Sequence, residues 1–146
     1  MNSIAEIKLS YSNNQEDEIK ITGSESAYKI LLENWNHDTL ELQEEFKAIL
    51  LNRANRVLGI YNLSKGGVTG TVVDIKLLLA SAIKSNSSNI IVSHNHPSGN
   101  LKPSQADLNL TKKIKEACKY FDITLLDHII VSKKGYYSFT DSGDLQ

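Results

Sequence analysis

The sequence predicts a single α/β domain, with a mixed β-sheet sandwiched by helices. Three observations favour this fold class. Segments with apolar residues at helical spacing alternate along the chain with short β-branched runs that are typical of buried strands. A chain of 146 residues with 40% hydrophobic content can bury one sizeable core, whereas two independent domains would each be small. The sequence contains no repeat or low-complexity segment that would indicate a different architecture.

Residues 1–37 are predicted to form an N-terminal extension, with a short strand over residues 4–9 followed by a helix. Ser24 is suited to the N-cap of this helix, because a serine hydroxyl can accept a hydrogen bond from a free backbone amide. The extension meets the main domain, residues 38–146, near residues 36–39. The apolar residues at helical spacing in the extension are Ala27, Ile30, Leu31 and Trp35.

The main domain is predicted to begin with a β-hairpin and a helix. Residues 42–52 start as an acidic, helical lead-in and end in an apolar run that is typical of a buried strand. A second strand over residues 57–63 pairs with the first, and the glycines after Lys65 end it. Asp74 then caps a helix with one apolar stripe. The residues of this stripe are Ile75, Leu78, Leu79, Ala82 and Ile83.

The second half of the chain is predicted to hold three strands and a long helix. Residues 90–92 are short, β-branched and apolar, as expected of a central strand. Ser104 begins the helix, and two closing strands follow over residues 123–131 and 136–139. The apolar residues of the helix are Leu110, Ile114, Ala117, Cys118 and Phe121.

The amino-acid composition excludes or disfavours several classes of function. The formal net charge of −1 is typical of a soluble globular protein and argues against a dedicated nucleic-acid binder. Because Cys118 is the only cysteine, an intrachain disulfide and a four-thiolate zinc site are excluded, and this residue is predicted to be buried and inert. With no signal-peptide pattern and no membrane-spanning run, we expect a cytoplasmic protein without membrane association. The lysines of the long helix, Lys112, Lys113, Lys115 and Lys119, are expected to be solvated.

Residues 93–107 contain two of the four histidines and both prolines. In an extended segment, residues two apart point to the same side, so His94 and His96 can face one metal ion. A proline-restricted loop with a flexible Gly99 can then return the chain so that Asp107 faces the histidines. Two imidazoles and one carboxylate leave a tetrahedral position open for water, which is the pattern of a catalytic zinc. A bare His-x-His is more often a polar loop, but the longer spacing favours the metal site.

Ser104 and Asp107 also fit a helix capping box, in which each side chain bonds to the other residue's backbone amide. Both arrangements can hold in part, because Ser104 can cap the helix while its hydroxyl faces a developing oxyanion. Asp107, in contrast, is not expected to close a capping box and bind zinc together easily.

The spacing His94-x-His96-x₇-Ser104-x-x-Asp107 resembles the JAMM motif of zinc-dependent isopeptidases. The amino-acid sequence of residues 94–104 resembles that of its bacterial RadC branch. The resemblance covers roughly residues 41–142 and implies a JAB/MPN-like fold related to the cytidine deaminase architecture. Longer RadC proteins carry an N-terminal helix-hairpin-helix region, and nothing before residue 37 resembles one. Supporting matches are Gly70-Thr71, Thr111, residues 126–131, Tyr137 and Ser138.

The resemblance also implies a glutamate at the start of the strand beside the histidines. Such a base is needed because zinc acidifies a water, but another group must take its proton and deliver it to the leaving amine. RadC-like sequences have Glu-x-Phe here, which selects Glu44 ahead of Phe46, whereas a shift of one residue would select Glu45. Either residue could instead belong to a solvated acidic lead-in.

His128 and Asp127 lie within an apolar strand pattern, where a histidine is more often a hydrogen-bonded core residue than a ligand. Because the predicted zinc already has three protein ligands, we expect His128 to orient a ligand or to pack beneath the site. His37 is expected at the surface.

These inferences predict a zinc-dependent hydrolase that cleaves an amide, namely a peptide or isopeptide bond. His94, His96 and Asp107 would hold Zn²⁺, Glu44 would act as the base, and Ser104 would donate to the oxyanion. The alternative is a non-catalytic, zinc-bearing accessory domain in DNA repair or DNA metabolism. A nucleobase deaminase is set aside, because its His-x-Glu and Pro-Cys-x-x-Cys elements are absent. The sequence identifies neither the peptide or protein substrate nor the oligomeric state.

Overall fold

The computed structural model describes residues 2–66 and 72–145 as one α/β domain with a five-stranded mixed sheet and three helices. The predicted fold class is therefore confirmed. No helix in the described part of the chain is both long enough and apolar enough to cross a bilayer. The helices are α1 (Ser24–Glu33), α2 (Ile75–Lys84) and α3 (Gln105–Lys119), and the strands are β1 (Glu45–Leu51), β2 (Val57–Lys65), β3 (Asn89–Asn95), β4 (Thr124–Ser132) and β5 (Gly135–Ser138).

The strands lie in the order β2-β1-β3-β4-β5. β3 and β4 run parallel, and α3 makes the crossover between them, while every other neighbouring pair is antiparallel. This crossover brings the start of α3 back to the carboxyl end of β3. The three residues predicted to bind metal lie at or beside these two ends.

The sheet is buried on both faces, so its central strands alternate between two apolar clusters. Phe46, Ala48 and Leu50 of β1 belong to the cluster covered by α2 and α3. Ile49 and Leu51 belong to the cluster covered by α1. The two clusters define an α3 face and an α1 face of the sheet, and each strand residue faces one or the other.

Two details of the N-terminal region correct the sequence predictions. The strand expected over residues 4–9 is wrong, because Ile4, Ile7 and Leu9 are 90%, 83% and 74% exposed and pair with no strand. Ser24 is the first residue of α1 and not its N-cap, which is Gly23. The hydroxyl of Ser26 accepts hydrogen bonds from the backbone amides of Thr22 and Gly23 instead.

The acidic lead-in to β1 is also different from the prediction, since residues 37–43 form turns and no helix. The backbone amides of Leu42 and Gln43 both donate to the carbonyl of Thr39. Glu44 follows the turns, pairing with β2 begins at Glu45, and pairing with β3 begins one residue later at Phe46.

The segment before α1 lies along the first residues of the edge strand β2. The backbone amide of Val57 donates to the carbonyl of Ile19 at 2.8 Å, and the Gln15 side chain donates to the carbonyl of Val57. The Tyr11 hydroxyl donates to the carbonyl of Leu58. These residues therefore cover one end of the sheet edge without forming a strand.

A buried ion pair interrupts the α1 face of β1. Glu45 and Lys47 are only 3% and 4% exposed, and the Lys47 ammonium lies 3.8 Å from the Glu45 carboxylate. The ammonium also donates to Asn62 at 2.6 Å and lies 4.9 Å from the centre of the Trp35 ring. Burial lowers the pKa of Lys47. On the α1 face the carboxylate of Glu45 is thus paired with a buried ammonium.

Replacing Lys47 with Met should leave Glu45 buried with only the exposed Lys65 nearby, at 3.9 Å. Breaking a buried pair leaves the remaining charge buried without its partner. We therefore expect the free energy of unfolding, measured by urea denaturation, to fall by about 3 kcal/mol. The double variant Glu45→Gln/Lys47→Met should recover most of this loss. Lys29→Met removes an exposed pair with Glu25 and serves as the control. An unchanged urea midpoint in Lys47→Met would contradict the assignment.

Candidate metal centre

The predicted ligands come from the end of β3 and the first turn of α3. His94 is buried at the end of β3, and His96 follows the strand. The loop between them and α3 turns at Gly99, whose positive φ of 82° favours glycine. The amide of Gly99 donates to the carbonyl of His96 at 2.8 Å, which closes the turn. The loop thus brings Asp107 back to the histidines.

Three ligand atoms meet at one point. The Nε2 atoms of His94 and His96 are 2.9 Å apart, and they lie 3.3 Å and 3.2 Å from the two carboxylate oxygens of Asp107. In a tetrahedral zinc site with bonds of about 2.0–2.1 Å, neighbouring ligand atoms are separated by about 3.3 Å. The spacing and the chemistry of these donors therefore fit one small divalent cation. Among the described residues, they form the one group of this kind.

The orientation of His96 is fixed by a backbone acceptor. Its Nδ1 atom faces the carbonyl of Asn100, which can only accept, so the hydrogen of a neutral ring lies on Nδ1. The lone pair on Nε2 is then available to a metal.

Asp107 both closes the helix capping box and faces the two histidines, although the sequence did not lead us to expect the two arrangements together. Its backbone amide donates to the Ser104 hydroxyl at 3.0 Å, and its carboxylate accepts from the Ser104 amide at 2.9 Å, so the capping box is closed. The same carboxylate faces both histidines. Burial favours a raised pKa for Asp107, but the two histidine rings outweigh it and hold the pKa well below its usual range. The carboxylate is therefore ionised while it caps the helix.

Ser104 is exposed beside Asp107. Its oxygen accepts the amide of Asp107, and that bond leaves the hydroxyl hydrogen available for donation. The oxyanion role stays a prediction.

Glu44 lies on the same side of β1 as Phe46, which pairs with His94 across the sheet. It is half-buried and close enough to His94, His96 and Asp107 for their charges to act on it. Burial is the main cause of its raised pKa. Glu45, the alternative, points to the α1 face and contacts lysines there. Of the two glutamates, the structure places Glu44 near the ligand group.

Asn95 is a site residue that the sequence analysis missed. It lies between the two histidines, is fully buried, and points to the α1 face. Its amide donates to the carbonyls of Leu40 and Gln43 at 2.7 and 2.9 Å, and its oxygen accepts the amide of Glu45 at 2.8 Å. One side chain thus joins the strand with the histidines to the segment that carries Glu44. A polar residue inside a buried strand was the available signal, because its amide must find partners there.

His128 lies outside the ligand group, as predicted. It is fully buried on β4, with its Nε2 atom 2.7 Å from Nδ1 of His94 and its ring stacked on Phe139 at a centroid distance of 4.4 Å. Burial lowers its pKa well below the usual value. Asp127 instead accepts hydrogen bonds from Ser138 and from the amide of Thr140, so it ties β4 to the end of β5 and to the turn that follows.

The remaining predicted residues lie away from this centre. Cys118 is buried in the α3-face cluster, and burial raises the pKa of its thiol to about 11, which agrees with the expected inert role. His37 and the four lysines of α3 are at least partly exposed. Gly70-Thr71 lies outside the described residues.

Comparison with known proteins identifies similar sequences. The profile of a family described as the RadC-like JAB domain matches residues 21–144. A UPF0758 protein of Flavobacterium johnsoniae is 40% identical over an alignment that covers 96% of this chain and 61% of that protein. UPF0758 proteins of Porphyromonas gingivalis and Streptococcus suis are 40% and 35% identical over 69% and 86% of this chain, covering 45% and 50% of their own lengths. The chain thus spans about half the length of the curated relatives it matches.

Replacing Asn95 with Asp tests its joining role. The new carboxylate would still accept the amide of Glu45, but it would place oxygen against the two carbonyls that Asn95 now satisfies. We expect the free energy of unfolding to fall by about 1–3 kcal/mol in urea denaturation of the metal-free protein. Asn109→Asp, at an exposed position on α3, should change it by less than about 0.5 kcal/mol. Equal stability of the two variants would contradict the proposal that Asn95 connects β3 to the segment before β1.

Proposed function

The chain belongs to the RadC-like JAB domain family, and from this premise we propose that it is a zinc-dependent hydrolase of a peptide or isopeptide bond. The observation that carries the proposal is the convergence of two imidazole nitrogens and an ionised carboxylate on one point. This donor set supplies three ligands and leaves a fourth tetrahedral position open, which is typical of catalytic rather than structural zinc.

We assign the ligand positions to Nε2 of His94, Nε2 of His96 and the carboxylate of Asp107. When bound, zinc would supply Lewis-acid chemistry that makes water a nucleophile at neutral pH. The protein's part is to hold the donors in place, because β3, the Gly99 turn and the capping box each restrict one of them.

Glu44 is the proposed general base. Burial raises its pKa, which moves the carboxylate towards the range where it can accept a proton and later release it to the leaving amine. Ser104 is the proposed donor to the negative charge that develops on the carbonyl oxygen. Removing such a donor typically slows a reaction about a hundredfold or more.

A second candidate is a non-catalytic, zinc-bearing domain that associates with DNA. It draws support from Lys112, Lys115 and Lys119, which are among the residues that line a groove beside α3. Glu116 and Asp144 line the same groove, and the net charge of the chain is −1. This candidate predicts salt-sensitive DNA binding that survives the loss of Glu44.

We expect purified protein to bind about one zinc ion per chain, since the described residues contain one group of three donors that could hold a metal ion. Elemental analysis after dialysis should show that His96→Ala and Asp107→Ala lose the zinc. His37→Ala, which removes a distant exposed histidine, should retain it. Folded wild-type protein that takes up no zinc would refute the proposed centre.

Replacing Glu44 with Gln should leave zinc bound but slow hydrolysis by about a hundredfold to ten-thousandfold, because the amide cannot accept the proton. Turnover would be measured on a panel of fluorogenic peptides and lysine ε-linked isopeptides. Glu41→Gln changes an exposed glutamate three residues away and should keep wild-type activity. Undiminished turnover in Glu44→Gln would remove this residue from the mechanism.

A further inference from the structure

A buried chain of hydrogen bonds runs from His94 to the backbone of α3. Nδ1 of His94 lies 2.7 Å from Nε2 of His128, and Nδ1 of His128 lies 2.5 Å from the Thr111 hydroxyl. The Thr111 hydroxyl in turn donates to the backbone carbonyl of Asp107 at 2.7 Å. His94, His128 and Thr111 are at most 2% exposed, so water does not compete for these bonds. This series of hydrogen bonds begins at His94 and ends at Asp107, and both residues are proposed to bind zinc.

The hydrogen bond at the Asp107 end determines which atom donates in each of the other hydrogen bonds. The carbonyl of Asp107 can only accept, so the single hydrogen of the Thr111 hydroxyl points to it. The hydroxyl oxygen must then accept a hydrogen from Nδ1 of His128. A neutral His128 carries no second hydrogen, so its Nε2 accepts from Nδ1 of His94.

The surroundings of His128 require the neutral ring. It lies between Phe46 and Phe139, with ring centroids 5.6 and 4.4 Å away. The neighbouring carboxylate of Asp127 is engaged by Ser138 and Thr140. A cation buried there without a counterion would be costly.

We infer that Thr111 and His128 act as positioning residues that hold His94 in the Nδ1–H tautomer, with the Nε2 lone pair turned towards His96 and Asp107. This inference rests on the proposed zinc site and deepens it. The backbone acceptor of His96 has the same effect on the second histidine. In both rings Nδ1 is thus bonded within the protein, through different partners, and Nε2 is the atom that faces the ligand group.

A simpler reading is that Thr111 only satisfies its own hydroxyl, since threonine within a helix often bonds the carbonyl four residues earlier. The two readings differ in what Thr111→Val does. Valine keeps the shape of threonine but cannot accept from His128. The His128 ring would then gain by moving its hydrogen to Nε2, which would force the hydrogen of His94 onto its own Nε2.

The test compares Thr111→Val with Thr111→Ser, which retains the hydroxyl. We expect Thr111→Val to weaken zinc binding about 10–100-fold, and Thr111→Ser by less than about threefold, in competition with a chromogenic chelator. The ¹⁵N shifts of the imidazoles in metal-free protein give a second readout. Wild type and Thr111→Ser should show His94 as the Nδ1–H tautomer, and Thr111→Val should shift it towards Nε2–H.

Wild-type protein with His94 in the Nε2–H form would overturn the inference, and this measurement needs no variant to fold. Wild-type zinc affinity and an unchanged tautomer in Thr111→Val would also overturn it. A wild type that binds no zinc but shows the Nδ1–H tautomer would refute the proposed zinc site and still support the positioning role. The two proposals can therefore fail separately.

Discussion

Alternation of side chains along β3, a strand buried on both faces, is the constraint on which the rest of the structure depends. His94 faces α3 and the ligand group, whereas Asn95 faces α1 and bonds the segment before β1. A shift of one residue would exchange the two sides and bury the imidazole among the apolar residues beneath α1. The pairing of Phe46 with His94 extends the same alternation to β1, where Glu44 and Glu45 divide between the faces.

Polar groups are buried on both sides of this strand, and each has a partner that fixes its orientation. On the α3 face, His128 and Thr111 reach His94. On the α1 face, Asn95 and the Glu45–Lys47 pair hold the start of β1. Buried polar groups are costly unless satisfied, so such a network specifies one arrangement more strictly than apolar packing does. The residues around the proposed site are therefore held by hydrogen bonds and ion pairs on both faces of β3.

Much of this organisation could be predicted from sequence, because it follows from local periodicity. The β-branched run at residues 90–92 and the stripes of α2 and α3 each appear as a pattern in the chain. The spacing of His94, His96 and Asp107 likewise needed only one strand, one turn and one helix start. Contacts between distant segments could not be predicted in this way. Thr111 matched a family pattern, but its bond to His128 depends on how α3 packs on β4, and the failure of residues 4–9 to form a strand depends on the lack of a partner.

The segment along β2 covers part of an edge of the sheet. An edge strand presents unpaired backbone groups that can template pairing with another molecule, and such pairing is a common route to aggregation. Ile19 and Gln15 occupy backbone groups at the start of that edge, and the segment forms one isolated β-bridge, between Lys20 and Arg56, but no strand that could itself extend the sheet. Because these groups are already occupied, this end of the edge offers fewer unpaired backbone groups to a second molecule.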